Sequence, residues 1–167
     1  VFMKKSDNVF DVSKKFLEQN KLKYNYDFLI IDFHGEITSE KMAIGHFFDG
    51  QATLVVGTHT HVPTNDARIL NKGTAYQTDA GMCGDYNSVI GMNKENSLNK
   101  FLNKESVKHF PSKGEASLCG VLVDADSDAN HIIILPAPVV GNIITIIENG
   151  TTGYELRTST PGSIGIN

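Results

Sequence analysis

The stretch DFLIIDFHGEITSEKMAIGHFFDGQATLVVGTHTH, Asp27 to His61, decides how this chain folds. Residues 27 to 33 are too short, and too rich in β-branched and aromatic side chains, for a helix; they predict a buried strand. Residues 52 to 56 predict a second short buried strand. Between them, Thr38 or Ser39 can cap a helix, and Glu40 in its first turn suits the helix dipole. That helix runs to Phe48, and Asp49-Gly50 ends it by turn chemistry. Strand, helix, strand in this span is a βαβ unit, so the two strands are parallel.

The topology brings His34 and His59 to one edge of the sheet, beyond the carboxyl ends of both strands. That edge is where α/β sheets build their sites. His61 follows two residues later, and on an extended segment an H-x-H pair points both rings to the same side. Neutral imidazole is a ligand for zinc, iron, copper and nickel. Gly57 allows a tight turn, and Thr58 and Thr60 offer hydroxyls that can orient the ligands. Glu36 and Glu40 lie near His34 as further ligands, orienting carboxylates or a base. Asp32 reads either as a carboxylate behind the ligands or as a strand residue paired locally. GTHTH alone reads equally well as a chance pair in a polar loop; His34 at the same edge tips the balance to a metal site. His46, His109 and His131 read as structural. Three imidazoles would make an open site able to activate water. Phosphoester cleavage prefers two metals with carboxylate ligands, a set not obvious in this chain.

Outward from this unit, residues 9 to 23 predict an amphipathic helix with Val9, Val12, Phe16 and Leu17 on one face and Asn20 helping to end it. Arg68 to Leu70 and Thr74 to Gln77 flank a hairpin turn at Asn71-Lys72-Gly73. Residues 79 to 93 are rich in Gly, Asp and Asn and predict a loop; 93 to 107 is polar and helical. Residues 118 to 124 and 131 to 135 predict a strand pair. The acidic turn between them lacks the Gly and terminal Glu of a calcium loop, and reads as a solvated hairpin turn. Residues 143 to 147 and 154 to 158 suggest a further hairpin, and 159 to 167 a flexible tail.

With 167 residues the chain fits one domain, and its net charge of −4 argues against binding to DNA or anionic membranes. The N-terminal lysines, interspersed with Asp and Glu, read as a solvated helix face. Cys83 and Cys119 stand far apart in no C-x-x-C pair, as plain thiols of a reducing compartment. Reactivity at Cys83 lacks an evident electropositive partner. No apolar run approaches about 18 residues and no signal peptide is visible, so the expected location is the cytoplasm. There is no G-x-S-x-G elbow and no Walker A sequence. An opening of Val1-Phe2-Met3 reads as the interior of a longer chain or as a processed terminus.

The elements DFH-x-E-x-TSEK, a helix ending in DG, VVGTHTHV, GTAY-x-TD-x-GM and SVIGM stand in one order over Asp27 to Met92. In that order and spacing they closely resemble the YmdB-type family of calcineurin-like metallophosphoesterases, described as 2′,3′-cyclic-nucleotide 2′-phosphodiesterases. The resemblance covers residues 1 to 141. It implies an α/β, two-sheet sandwich flanked by helices and a site for two divalent metal ions, iron or manganese before zinc. By the match, His34 and His59 bind one ion and His61 the other. A metal-bound hydroxide then attacks phosphorus in line and expels the 2′ oxygen, leaving a 3′-nucleotide.

The departure lies at the N-terminus. The family's other ligands (an Asp, a bridging Glu with its neighbouring Asn, a further Asn) and its proton-donating His come from the N-terminal half. Nothing in residues 1 to 26 matches them. Residues 1 to 141 therefore read as the C-terminal part of the domain, with 142 to 167 as hairpin and tail, and the catalytic residues themselves stay unassigned. The implied partners are a cyclic nucleotide, the missing N-terminal segment or a partner chain, and a second copy through exposed strand edges. Cys83 and Asp85 stand where the family tends to have Thr or Ser and Pro. The competing reading is a truncated, non-catalytic metal-binding or protein-interaction domain.

Overall fold

The computed structural model describes residues 7–103, 108–125 and 132–136. The first helix, α1, spans Val9–Gln19. Asn8 starts it by accepting the Phe10 N–H at 2.9 Å, and Asn20 stops it by donating its side-chain amide to the Phe16 carbonyl at 2.9 Å. The expected helix to residue 23 is thus four residues too long. The chain leaves it through a turn in which Lys23 takes a positive φ of 66°. Val9, Phe10 and Leu17 reach the core, but Val12 and Phe16 of the expected apolar face remain exposed.

Then comes β1, Ile30–His34; α2, Thr38–Phe47; and β2, Leu54–Thr58. The strands β1 and β2 pair in parallel with Ile30 opposite Leu54 and His34 opposite Thr58, the βαβ unit read from the sequence. Two details differ. The residue preceding α2 is Ile37, with no side-chain cap, so Thr38 lies inside the first turn. And β1 is not buried: exposed and half-buried residues alternate along it, with Ile30 65% exposed. The cause is its place at the end of the four-stranded order β1-β2-β4-β3. A strand with one neighbour and one covered face alternates, whereas central β2 is buried from Leu54 to Gly57.

The hairpin forms as expected from β3, Arg68–Ile69, and β4, Ala75–Gln77, with Gly73 at φ 97° in its turn. Asp49 secures it: its carboxylate accepts the Lys72 N–H at 3.1 Å. Strand β4 also pairs in parallel with β2. Next, α3 spans Lys94–Asn103, with Asn93 accepting the Asn96 N–H at 3.0 Å. Last, β5, Val121–Ala125, pairs antiparallel with β6, Ile132–Pro136, as a second sheet. Of the expected acidic turn from Asp124 to Asp128, Asp124 and Ala125 instead end β5; its remainder, the continuation of the helix past 103, the 143–158 hairpin and the tail lie outside the described residues.

Strand alternation sorts the core into two layers. On one face of the larger sheet Val55 and Tyr76 join Ile44 of α2 and Phe48 at its C-cap, with Ile31, Phe33 and α1 at the margin. On the other, Leu54, Val56 and Ala75 meet Val121, Val123 and Ala125 of β5. The result is an α/β arrangement with helices on one side and a second sheet on the other. Gly45 lets α2 lie on the Tyr76 ring, where a Cβ would overlap it; Gly57 lets β2 approach the Thr78 carbonyl just as closely. Among the described residues no helix is long and apolar enough to cross a membrane.

A candidate metal centre at the carboxyl edge of the parallel strands

Period-two alternation sets Asp32 and His34 on one face of β1, and the parallel register lays Thr58 beside His34. The three side chains join. The Thr58 hydroxyl donates to Asp32 Oδ1 at 2.8 Å. Its single proton is committed there, so Thr58 Oγ1 accepts from His34 Nδ1–H at 3.0 Å. His34 Nε2 is left as an acceptor, in hydrogen-bond contact at 3.0 Å with Nδ1 of His59. The two rings meet edge to face at 4.8 Å between centroids. The far nitrogen of His59, Nε2, lies 2.8 Å from Glu36 Oε2.

His61 is held differently. Its Nδ1–H donates to the Ile90 carbonyl at 2.8 Å, which leaves Nε2 as the nitrogen able to ligate. Strand alternation does not aim His59 and His61, because β2 ends at Thr58. They sit in a bend, with φ of 113° and 65°, and Ile90 has φ 50°. Such values are uncommon for residues with a Cβ and persist where neighbours enforce them, often at sites.

The other expected residues fall as follows. Thr60 turns its hydroxyl to the Val62 carbonyl at 3.2 Å and its N–H to Asp79 Oδ2 at 3.0 Å. Glu40 is in the first turn of α2 and His46 is exposed in its last. His109 is exposed beside the Lys100 ammonium at 3.2 Å, and His131 lies outside the described residues. Both cysteines are free; the Cys83 thiol donates to the Cys119 carbonyl at 3.4 Å. Asp85, the departure noted above, accepts from Ser112 and from the Gly114 N–H at 3.1 Å, tying the 85–91 loop to 112–114. The Ser112 hydroxyl first, then the backbone N–H groups, hold its carboxyl below the ordinary range.

Sequence reasoning overlooked a buried ion pair under the histidine loop. Lys41 of α2 and Asp79 are 1% and 0% exposed and meet at 2.6 Å. The signal was present: Lys41, Ile44, Gly45 and Phe48 are spaced as one buried helix stripe, and a lysine in such a stripe requires a partner. Asp79 Oδ2 also takes the Thr60 N–H, and Oδ1 takes the Gly81 N–H at 2.9 Å. Burial pushes the Asp79 carboxyl up, but Lys41 and these N–H groups outweigh it and hold the carboxyl below its usual value. Asp66 is similar: burial raises it, while Thr64, Thr78 and Arg68 bring it below the usual range.

Do these residues fit an ion? Two imidazole nitrogens bound at about 2.1 Å to one ion lie about 3.0–3.4 Å apart. The 3.0 Å between His34 Nε2 and His59 Nδ1 matches that spacing. Both rings also have a partner on the far nitrogen, as metal-bound histidines do. The pair fits; a complete shell is not present, since among the described residues no three His, Cys, Asp or Glu side chains gather to hold an ion.

The chain is similar to known proteins over most of its length. A family model described as "YmdB-like protein" matches residues 1–135. The chain is 46% identical over 106 residues to the 2′,3′-cyclic-nucleotide 2′-phosphodiesterase of Bacillus subtilis (strain 168), covering 64% of this chain and 40% of that protein. The crystal structure of a protein described as a novel phosphatase from Mycoplasma pneumoniae superposes with a TM-score of 0.71 at 40% identity, over 85% of this chain and 48% of the other. A hypothetical protein from Thermus thermophilus superposes at 0.64 and 36% identity, over 87% and 52%. The chain spans less than half the length of the curated relatives it matches.

Proposed function

The chain belongs to the family of YmdB-like proteins, and from that premise we propose that it forms part of a metal-dependent phosphodiesterase acting on 2′,3′-cyclic nucleotides. The product is the 3′-nucleotide. The observation that carries the reading is the His34–His59 pair, with two nitrogens 3.0 Å apart and each ring oriented from behind. It is supported by the name of the Bacillus subtilis relative, a 2′,3′-cyclic-nucleotide 2′-phosphodiesterase.

In this proposal His34 Nε2 and His59 Nδ1 would hold one divalent ion, iron or manganese before zinc, and His61 Nε2 would contribute to a second. Bound ions of this kind offset charge on phosphoryl oxygens and make water nucleophilic at neutral pH. The chain's own residues orient the ligands. Asp32, through Thr58, keeps the proton of His34 on Nδ1 so that Nε2 stays available. Glu36 does the same for His59 from the opposite side. The remaining ligands, and the group that protonates the leaving oxygen, come from a segment outside these 167 residues, in the same polypeptide or in a partner. The free cysteines agree with a reducing, cytoplasmic setting.

Hydrolysis of 2′,3′-cyclic AMP with added manganese tests this. The chain joined to the segment its longer relatives carry should be active, and the chain alone should not. His59→Ala should abolish the turnover of the joined protein; wild-type turnover in that variant would remove the site assignment. The competing reading, a non-catalytic metal-binding or interaction domain, draws on the incomplete donor set. It predicts no turnover in either form.

A further inference from the structure

We propose that the buried Lys41–Asp79 pair is a positioning device that presets the His59–His61 backbone for its ligand. This rests on the reading of His59 and His61 as metal ligands, and it adds two residues that touch no ligand. The backbone around Thr60 is held out of the common conformations on both sides, by His59 at φ 113° and His61 at φ 65°. Left to itself such a segment would relax. The His61 ring is tied to the Ile90 carbonyl, and between the two histidines the backbone itself is tied by the Thr60 N–H, donated to Asp79 Oδ2 at 3.0 Å.

Asp79 is well placed to act as the anchor. Its other oxygen takes the Gly81 N–H at 2.9 Å. Its own N–H donates to Thr64 Oγ1 at 2.9 Å, and its carbonyl accepts the Thr64 N–H at 3.0 Å. One residue thus pins the histidine loop at Thr60 and again at Thr64. The Ala80 N–H closes onto the Gly57 carbonyl at 2.8 Å, so β2 and the segment that follows β4 share the same anchor. Lys41 completes it from below. Its stem runs past Gly57, where a Cβ would crowd Lys41 Cδ at 3.1 Å, and its ammonium reaches the same Oδ2 at 2.6 Å.

Stability alone does not explain a pair so placed. Desolvating two charges is costly, and apolar residues of similar volume often serve the fold as well or better. What apolar residues cannot do is accept the Thr60 N–H. The pair therefore separates two roles, and a double variant tells them apart.

The test uses the 167-residue chain. In Lys41→Met/Asp79→Leu both buried charges are gone, and circular dichroism checks the fold. Cobalt(II) alone is the probe, followed by calorimetry and by its visible absorption. The folded double variant should bind cobalt about 10- to 100-fold more weakly than wild type, with an altered spectrum. Wild-type affinity and spectrum in the folded variant would overturn the proposal. If the variant does not fold, exchange of the Thr60 amide in the wild-type chain decides. Strong protection is expected, and exchange as fast as in an open loop overturns it. His59→Ala is the control: should it lose cobalt while the double variant keeps it, the positioning role falls and the ligand assignment stands. Should His59→Ala bind cobalt like wild type, both fall.

Discussion

A single hydroxyl proton sets the chemistry available at His34. Because Thr58 gives that proton to Asp32, it can only accept from His34 Nδ1, and the imidazole has one tautomer to present. Thr58→Val keeps the shape of the side chain and removes both bonds. Manganese or cobalt affinity of the chain should fall about 10- to 100-fold in that variant, while Thr58→Ser should restore it; isothermal titration on the three proteins checks this. An unaltered Val variant would mean that the relay orients nothing. Asp32 and Thr58 were both readable as candidates from strand alternation and adjacency. Which nitrogen carries the proton was not, because it depends on a hydrogen bond between residues 26 apart in the chain.

At the scale of elements, the βαβ unit behaves as its sequence pattern requires, but β1 shows what a pattern leaves open. An apolar run such as Leu29 to Phe33 suits a buried central strand and an edge strand equally. Here Ile30 is 65% exposed and Phe28 47%, and among the described residues β1 pairs only with β2. An apolar edge with free N–H and C=O groups is a template for pairing with another chain. The isolated 167-residue chain should therefore self-associate at high concentration, and Ile30→Lys should reduce it. Sedimentation velocity at increasing concentration is the measurement, and a wild-type chain that remains monomeric throughout would contradict the expectation. The same edge is where the proposed additional segment or partner would find unused strand surface.

For the molecule as a whole, acid should reveal which carboxylates hold the layers together. Asp66 and Asp79 both lie below the ordinary value of 3.8 in the folded chain. The unfolded chain then takes up protons first as pH falls. Their contribution is fully present above that value and is lost as pH drops through it toward the lower folded values. Urea midpoints should fall between about pH 5 and pH 3, and Asp66→Asn should flatten that fall; an equally steep slope in the variant would show that Asp66 contributes nothing to it. The sequence by itself determined the order of elements, the hairpin at Asn71-Lys72-Gly73 and the edge at which His34 and His59 meet. Those features follow from turn chemistry, side-chain period and the parallel connection, all of which are local to short stretches of chain. Tertiary structure alone decided that β1 lies at an edge, that Lys41 is sealed against Asp79, and that two histidines take positive φ. Each of these depends on what packs against a residue from far along the chain, and burial, not propensity, sets the free energy there.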